Sequence, residues 1–282
     1  MLLADDARLD LQPLRDPTLV TIAGDWHGEA DFASALIERA PAGPTGTRIV
    51  VQLGDFSVWP GRAGAAFLDA VADSLLRADA SLLFIDGNHE DHPQLLGYPI
   101  RADGLRVVRP RLYHLPRGFR WTWHGQRWLA LGGAHSIDRP KRTPMVDWWS
   151  EEQITDGQAH LAASGGTTDY MVTHDCPAGI SMPGICDAEP GQPKELYDEL
   201  VIEARHRQRL LDVVRRVRPR RLLHGHYHIR YDAVIDFDDG TACAVTGLAK
   251  TATMADNAVV LNLLDDELSA PFPRSRDERT AT

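Results

Sequence analysis

Three short apolar runs in the first third of the chain each end in a glycine turn bearing a carboxylate or an amide. Residues 18–23 (TLVTIA) lead into Gly24-Asp25, residues 48–53 (RIVVQL) into Gly54-Asp55, and residues 82–85 (LLFI) into Asp86-Gly87-Asn88. Short aliphatic runs of this kind, bounded by turn residues, read as buried strands feeding loops. Residues 31–40 and 63–77, between them, have helical patterning. Strand–helix alternation predicts parallel strands joined by right-handed crossovers.

Beyond about residue 105 the texture changes to strands with fewer helices between them. Strands are expected at 105–108, 119–123, 128–131 and 169–173, then at 222–223, 231–237, 242–246 and 259–263. Helices are expected at 151–163 and 194–217, and the later strands predict a second, mixed sheet. No internal repeat, linker or break in composition divides the chain. It is read as one domain over residues 18–265, after a lead-in at 1–17 and before a disordered polar tail at 266–282.

Composition narrows the function classes. The 43% hydrophobic content suits a globular core, and no apolar stretch reaches the roughly 20 residues of a membrane helix. The N-terminus lacks the basic-then-apolar pattern of a secretory signal, so the chain is expected to be cytoplasmic, without a membrane partner. Its three cysteines, Cys176, Cys186 and Cys243, form no CxxC pair and read as idle thiols. A net charge of −10 disfavours an extended nucleic-acid groove. The basic run around Arg215, Arg216, Arg218, Arg220 and Arg221 reads as a solvated helix face.

The chemistry lies in the turns. After the first strand comes Asp25-Trp26-His27, after the second Asp55, and after the third Asn88-His89-Glu90. A later strand ends in His174-Asp175, and another leads to Gly225-His226-Tyr227-His228. Ligand sites in α/β sheets form beyond the carboxyl ends of strands, so these loops are expected to converge on one cleft. Carboxylate, imidazole and amide oxygen together suit divalent ions. The i, i+2 pairs Asp25/His27 and His226/His228 would project to one side of extended loops. His224 reads as structural, because Gly225 interrupts the alternation.

The ordered set D-x-H, G-D, G-N-H-E, H, G-H-x-H, spanning Asp25 to His228, resembles the signature of the calcineurin-like metallophosphoesterases. The resemblance implies a four-layer α/β/β/α sandwich of two mixed β-sheets flanked by helices. It implies two divalent metal ions, with Asp25, His27 and His228 on the first, Asn88, His174 and His226 on the second, and Asp55 bridging. Manganese is favoured, with iron, zinc or cobalt as alternatives. The implied reaction is in-line attack of a metal-bridging hydroxide on a phosphate mono- or diester. His89 would sit beside the phosphate as the catalytic histidine, with Asp55, Asp86 and Glu90 all candidates for its orienting acid.

A small phosphate ester or nucleotide is the expected substrate. The family's protein phosphatases carry G-D-x-V-D-R-G and R-G-N-H-E, where this chain has Gly54-Asp55-Phe56-Ser57-Val58-Trp59-Pro60 and Asp86-Gly87-Asn88-His89-Glu90. Residues 132–139 (GGAHSIDR) resemble a loop of small bacterial and phage members, making His135, Asp138, Arg139 and Arg142 candidate substrate contacts. A nuclease is the alternative, with Trp59, Trp121 and Trp123 available to stack bases. A non-catalytic binding module is third, weakened because no ligand position is lost.

Overall fold

Each of the early apolar runs becomes a strand whose alternate residues face two different cores. The computed structural model describes residues 16–44 and 46–270. In chain order the elements begin with β1 (Leu19–Ala23), α1 (Ala30–Arg39), β2 (Arg48–Gln52), α2 (Gly61–Arg77), β3 (Ala80–Phe84) and α3 (His92–Gly97). There follow β4 (Arg106–Arg109), β5 (Leu112–His114), β6 (Arg120–Trp123), β7 (Gln126–Leu131), α4 (Asp156–Ser164) and β8 (Tyr170–Thr173). The chain closes with α5 (Lys194–Val217), β9 (Arg221–His224), β10 (Tyr231–Asp236), β11 (Ala242–Gly247), α6 (Met254–Asn257), β12 (Ala258–Asn262) and β13 (Glu267–Ser269).

One sheet has the order β13-β12-β1-β2-β3-β5-β4 and the other β10-β11-β9-β8-β7-β6. β1, β2 and β3 pair in parallel, as do β7, β8 and β9, while antiparallel pairs at the edges make both sheets mixed.

Three apolar cores define four layers. Between the sheets, Ile22, Val51 and Leu83 meet Trp128, Tyr170 and Leu223. On the outer face of the first sheet, Val50 and Leu82 pack under Leu36 of α1 and Leu68 and Val71 of α2. On the outer face of the second, Leu129 and Met171 pack under Ala162 of α4 and Leu210 and Val214 of α5. The neighbours Val50 and Val51 thus enter opposite cores, as a period of two requires. The α/β/β/α architecture is therefore as expected.

Details differ from the sequence reading. Thr155 caps α4 in a capping box with Gln158, so the helix starts there, after a 3-10 turn at Ser150–Glu152. Glu267–Ser269 pairs with β12, so the chain stays in the sheet past residue 265; residues 271–282, like 1–15, lie outside the described residues. Trp121 and Trp123 are buried between the sheets, with Trp121 stacked 5.4 Å from Trp128 and Trp128 4.4 Å from Tyr170. Neither is placed to stack bases. No helix among the described residues is long and apolar enough to cross a membrane.

Candidate metal centre

All seven ligands expected from sequence come together at the carboxyl ends of five strands drawn from both sheets. Asp25, His27, Asp55 and His228 offer ligand atoms within 4.8 Å of one another, and Asp55, His174 and His226 form a second such group. Asn88 joins the second group, its Oδ1 lying 3.1 Å from His174 Nε2. In the first group the Nε2 atoms of His27 and His228 stand 2.9 Å apart and 3.7 and 3.2 Å from Asp25 Oδ2. That carboxylate oxygen is buried and accepts no hydrogen bond, while Oδ1 of the same residue accepts from the His226 backbone N–H. A buried carboxylate oxygen without a donor, facing two imidazole nitrogens, fits a cation.

The backbone is strained where the ligands sit. His27, Asp55, His226 and His228 all have positive φ, from 45° to 69°. Left-handed conformations are uncommon for non-glycine residues and gather at functional sites. They also replace the extended loops expected for the i, i+2 pairs. His226 and His228 consequently fall in different groups, joined through Asp55.

Charge is balanced here by protons. Burial alone would raise Asp25 and Asp55, but the surrounding histidines hold both below the usual carboxylate range. Burial would likewise lower His174, yet the Asp55 charge and hydrogen bond raise it to about 10. His226, buried and facing a protonated His174, drops to about 4. The two carboxylates thus favour positive charge at His174.

Further residues aim the ligands. The Leu53 carbonyl accepts from His174 Nδ1 at 2.7 Å, which turns Nε2 toward Asp55 and Asn88. Asn88 Nδ2 donates to Ser136 Oγ at 2.9 Å, and Ser136 in turn donates to Glu152 at 2.5 Å, which fixes which end of the amide faces His174. Glu90 accepts the backbone N–H groups of Phe56, Ser57 and Val58, bracing the turn after Asp55. Sequence reasoning missed Ser136 and Glu152; the only available signal was their place in the loop after β7 and the turn that follows. His224 is buried and bonded to Gly225 O and Tyr231, a structural role.

His89 lies at the edge of the cleft. Its backbone N–H donates to Asp55 Oδ1 at 2.9 Å, and its ring Nε2 is 3.9 Å from Asp55 Oδ2. Asp86 is occupied by Arg117 and His114, and Glu90 by backbone, which leaves Asp55 as the acid beside His89. Arg142 donates to His89 Nε2 at 3.2 Å and grips both carboxylate oxygens of Asp138.

Of the other two candidate contacts, His135 is corrected by its burial. His135 is fully buried between Glu199 and Gln153 and cannot reach a substrate. Arg139 pairs with both oxygens of Glu199, as Arg142 does with Asp138, and its side chain stays 40% exposed. Of the three cysteines, none is paired; burial pushes Cys176 and Cys243 up to about 12, and Cys186 is exposed.

The family model described as calcineurin-like phosphoesterase matches residues 18–230, which contain every candidate ligand above. The chain belongs to the calcineurin-like phosphoesterases. Among solved structures, this phosphoesterase resembles TT1561 of Thermus thermophilus, with a TM-score of 0.50 and 10% identity over 90% of this chain and 97% of that one. A protein serine/threonine phosphatase from Saccharomyces cerevisiae aligns with a TM-score of 0.37 and 15% identity over 92% of this chain and 78% of that one. The first likeness is one of fold. A search of curated proteins found no match to this calcineurin-like phosphoesterase.

Proposed function

We propose that the protein hydrolyses a phosphate ester of a small molecule at two divalent ions. Asp25, His27 and His228 would hold one ion, Asn88, His174 and His226 the other, and Asp55 both. Such ions lower the pKa of water and neutralise charge on a phosphate. The observation that supports the reading is the gathering of candidate ligand atoms into two groups, each within 4.8 Å, that share Asp55.

The remaining roles belong to the protein's own groups. His89 stands where it can protonate a leaving oxygen or bind a phosphate oxygen, work typically worth about 10²–10⁴-fold. Arg142, held beside it by Asp138, presents a guanidinium suited to the same phosphate. Manganese is the proposed metal, from the mixed oxygen and nitrogen donors. Protein phosphatase activity is disfavoured because Val58-Trp59 stands where those enzymes carry an Asp-Arg pair.

A screen of chromogenic mono- and diesters with the metal-supplemented protein tests the reading. Turnover that requires added divalent ion and disappears on chelation is expected. No turnover of any ester with two ions bound per chain would sink it. Oligonucleotide cleavage in the same screen would instead favour a nuclease, with the exposed Trp59 as its stacking residue.

A further inference from the structure

A cavity of about 640 Å³ opens directly beside the metal centre. Asn88, His89, His226 and His228 form one end of it. Its volume falls within the roughly 300–1,000 Å³ of small-molecule sites. The other walls come from three elements: the loop after β7, the segment between β8 and α5, and the first turns of α5. They contribute Ile137, Ile185, Leu196 and Leu200, and the lining is mostly apolar.

This wall carries two carboxylates, Asp138 paired with Arg142 and Glu203 accepting from the Tyr227 hydroxyl. Asp138 and Glu203 line the cavity, and among the described lining residues there is no lysine or arginine. The Tyr227 hydroxyl is already bonded to Glu203 and Asp175, so it makes no new demand on a ligand. Away from the histidine end, a second phosphate, a sulfate or a carboxylate would find no cation among the described lining residues, only the two carboxylates, the neutral Ser136, Cys186 and Gln192 side chains, and hydrocarbon. An uncharged ring would shed water against four aliphatic side chains.

The geometry points to this cavity as the receptor for the alcohol portion of the ester, and to that portion being aromatic or aliphatic and without charge. This rests on the phosphoesterase reading and narrows it. Nucleoside di- and triphosphates and oligonucleotides are excluded as preferred substrates, because each would bring further anionic groups past the metals.

Non-hydrolysable phosphonates separate the cavity from the chemistry. The manganese-loaded protein is titrated calorimetrically with methylphosphonate, 3-phosphonopropionate and 1-naphthylphosphonate. The naphthyl compound is expected to bind about tenfold or more tighter than the methyl compound, from ring burial. The carboxylate-bearing compound is expected to bind no tighter than the methyl one. In Leu196→Asp and Ile137→Asp the naphthyl-to-methyl affinity ratio should fall to about twofold. Both positions tolerate the change, since Leu196 is 38% and Ile137 46% exposed.

Equal affinities for the methyl and naphthyl compounds, or tighter binding of the carboxylate, would overturn the assignment while leaving the phosphoesterase reading intact. A naphthyl preference that survives both substitutions would also overturn it. Failure of all three phosphonates to bind would remove the phosphoesterase reading along with the cavity's role.

Discussion

A hydrogen in place of a methyl group decides whether the two aspartates can reach their positions. A Cβ at Gly87 would overlap the Asp55 carboxylate and backbone nitrogen, and one at Gly225 would overlap the Asp25 carboxylate. Gly87→Ala is therefore expected to lower thermal stability by about 1–3 kcal/mol and to weaken binding of at least one ion. Differential scanning calorimetry and metal analysis would show it; unchanged metal content would mean that Asp55 tolerates displacement. His89→Ala is expected to behave oppositely, cutting kcat by about 10²–10⁴-fold with two ions still bound. Parallel loss of metal and turnover would assign His89 to ligation instead. The convergence of the candidate ligands was legible in the sequence because they follow apolar runs closed by turns. The left-handed φ values of His27, Asp55, His226 and His228 were not, since nothing in D-x-H or H-x-H distinguishes a strained turn from an extended one.

At the level of elements, the loop after β7 serves as a clamp for Asn88. The path from Asn88 through Ser136 to Glu152 ties the third strand of one sheet to the turn preceding α4. Ser136→Ala leaves the Asn88 amide free to turn, and a loss of about 10–100-fold in affinity at the ion bound by Asn88 is expected. Stepwise titration with a metal indicator would resolve it, and equal weakening of both ions would refute the clamp. This loop is where sequence reading does least well. The side chains of His135 and Arg139 are chemically suited to phosphate, but Glu199 of α5 claims both. A partner 60 or more residues away leaves no local pattern. The short β5, α3 and β13 escape notice for a related reason: too few residues to show a period, and stability drawn from the neighbouring strand.

Across the whole molecule, the candidate metal centre joins the two sheets. Asp25, Asp55 and Asn88 extend from the first, and His174, His226 and His228 from the second. Bound ions should therefore stabilise the inter-sheet packing, and a chelator should lower the melting temperature. The effect has a calculable pH dependence. His174 is raised from 6.5 to about 10 in the metal-free protein, so the folded state retains a proton that the unfolded chain releases over that interval. Stability from this group is complete below about pH 6.5 and lost as pH rises toward about 10. A metal ion needs the neutral imidazole and takes over the proton's electrostatic role. The gap in melting temperature between metal-loaded and metal-free protein should widen from about pH 6.5 to about 9.5; a constant gap would show that His174 does not exchange its proton for the ion.

The arrangement of the indoles makes such measurements unusually separable. Trp59 is 47% exposed and donates to the His89 backbone, whereas Trp121, Trp123 and Trp128 lie sealed between the sheets. Iodide should quench the long-wavelength emission of Trp59 and of the half-buried Trp148 and spare the short-wavelength emission of the buried cluster. In Trp148→Phe, one fluorescence spectrum then reports cleft occupancy at its red edge and integrity of the interior at its blue edge.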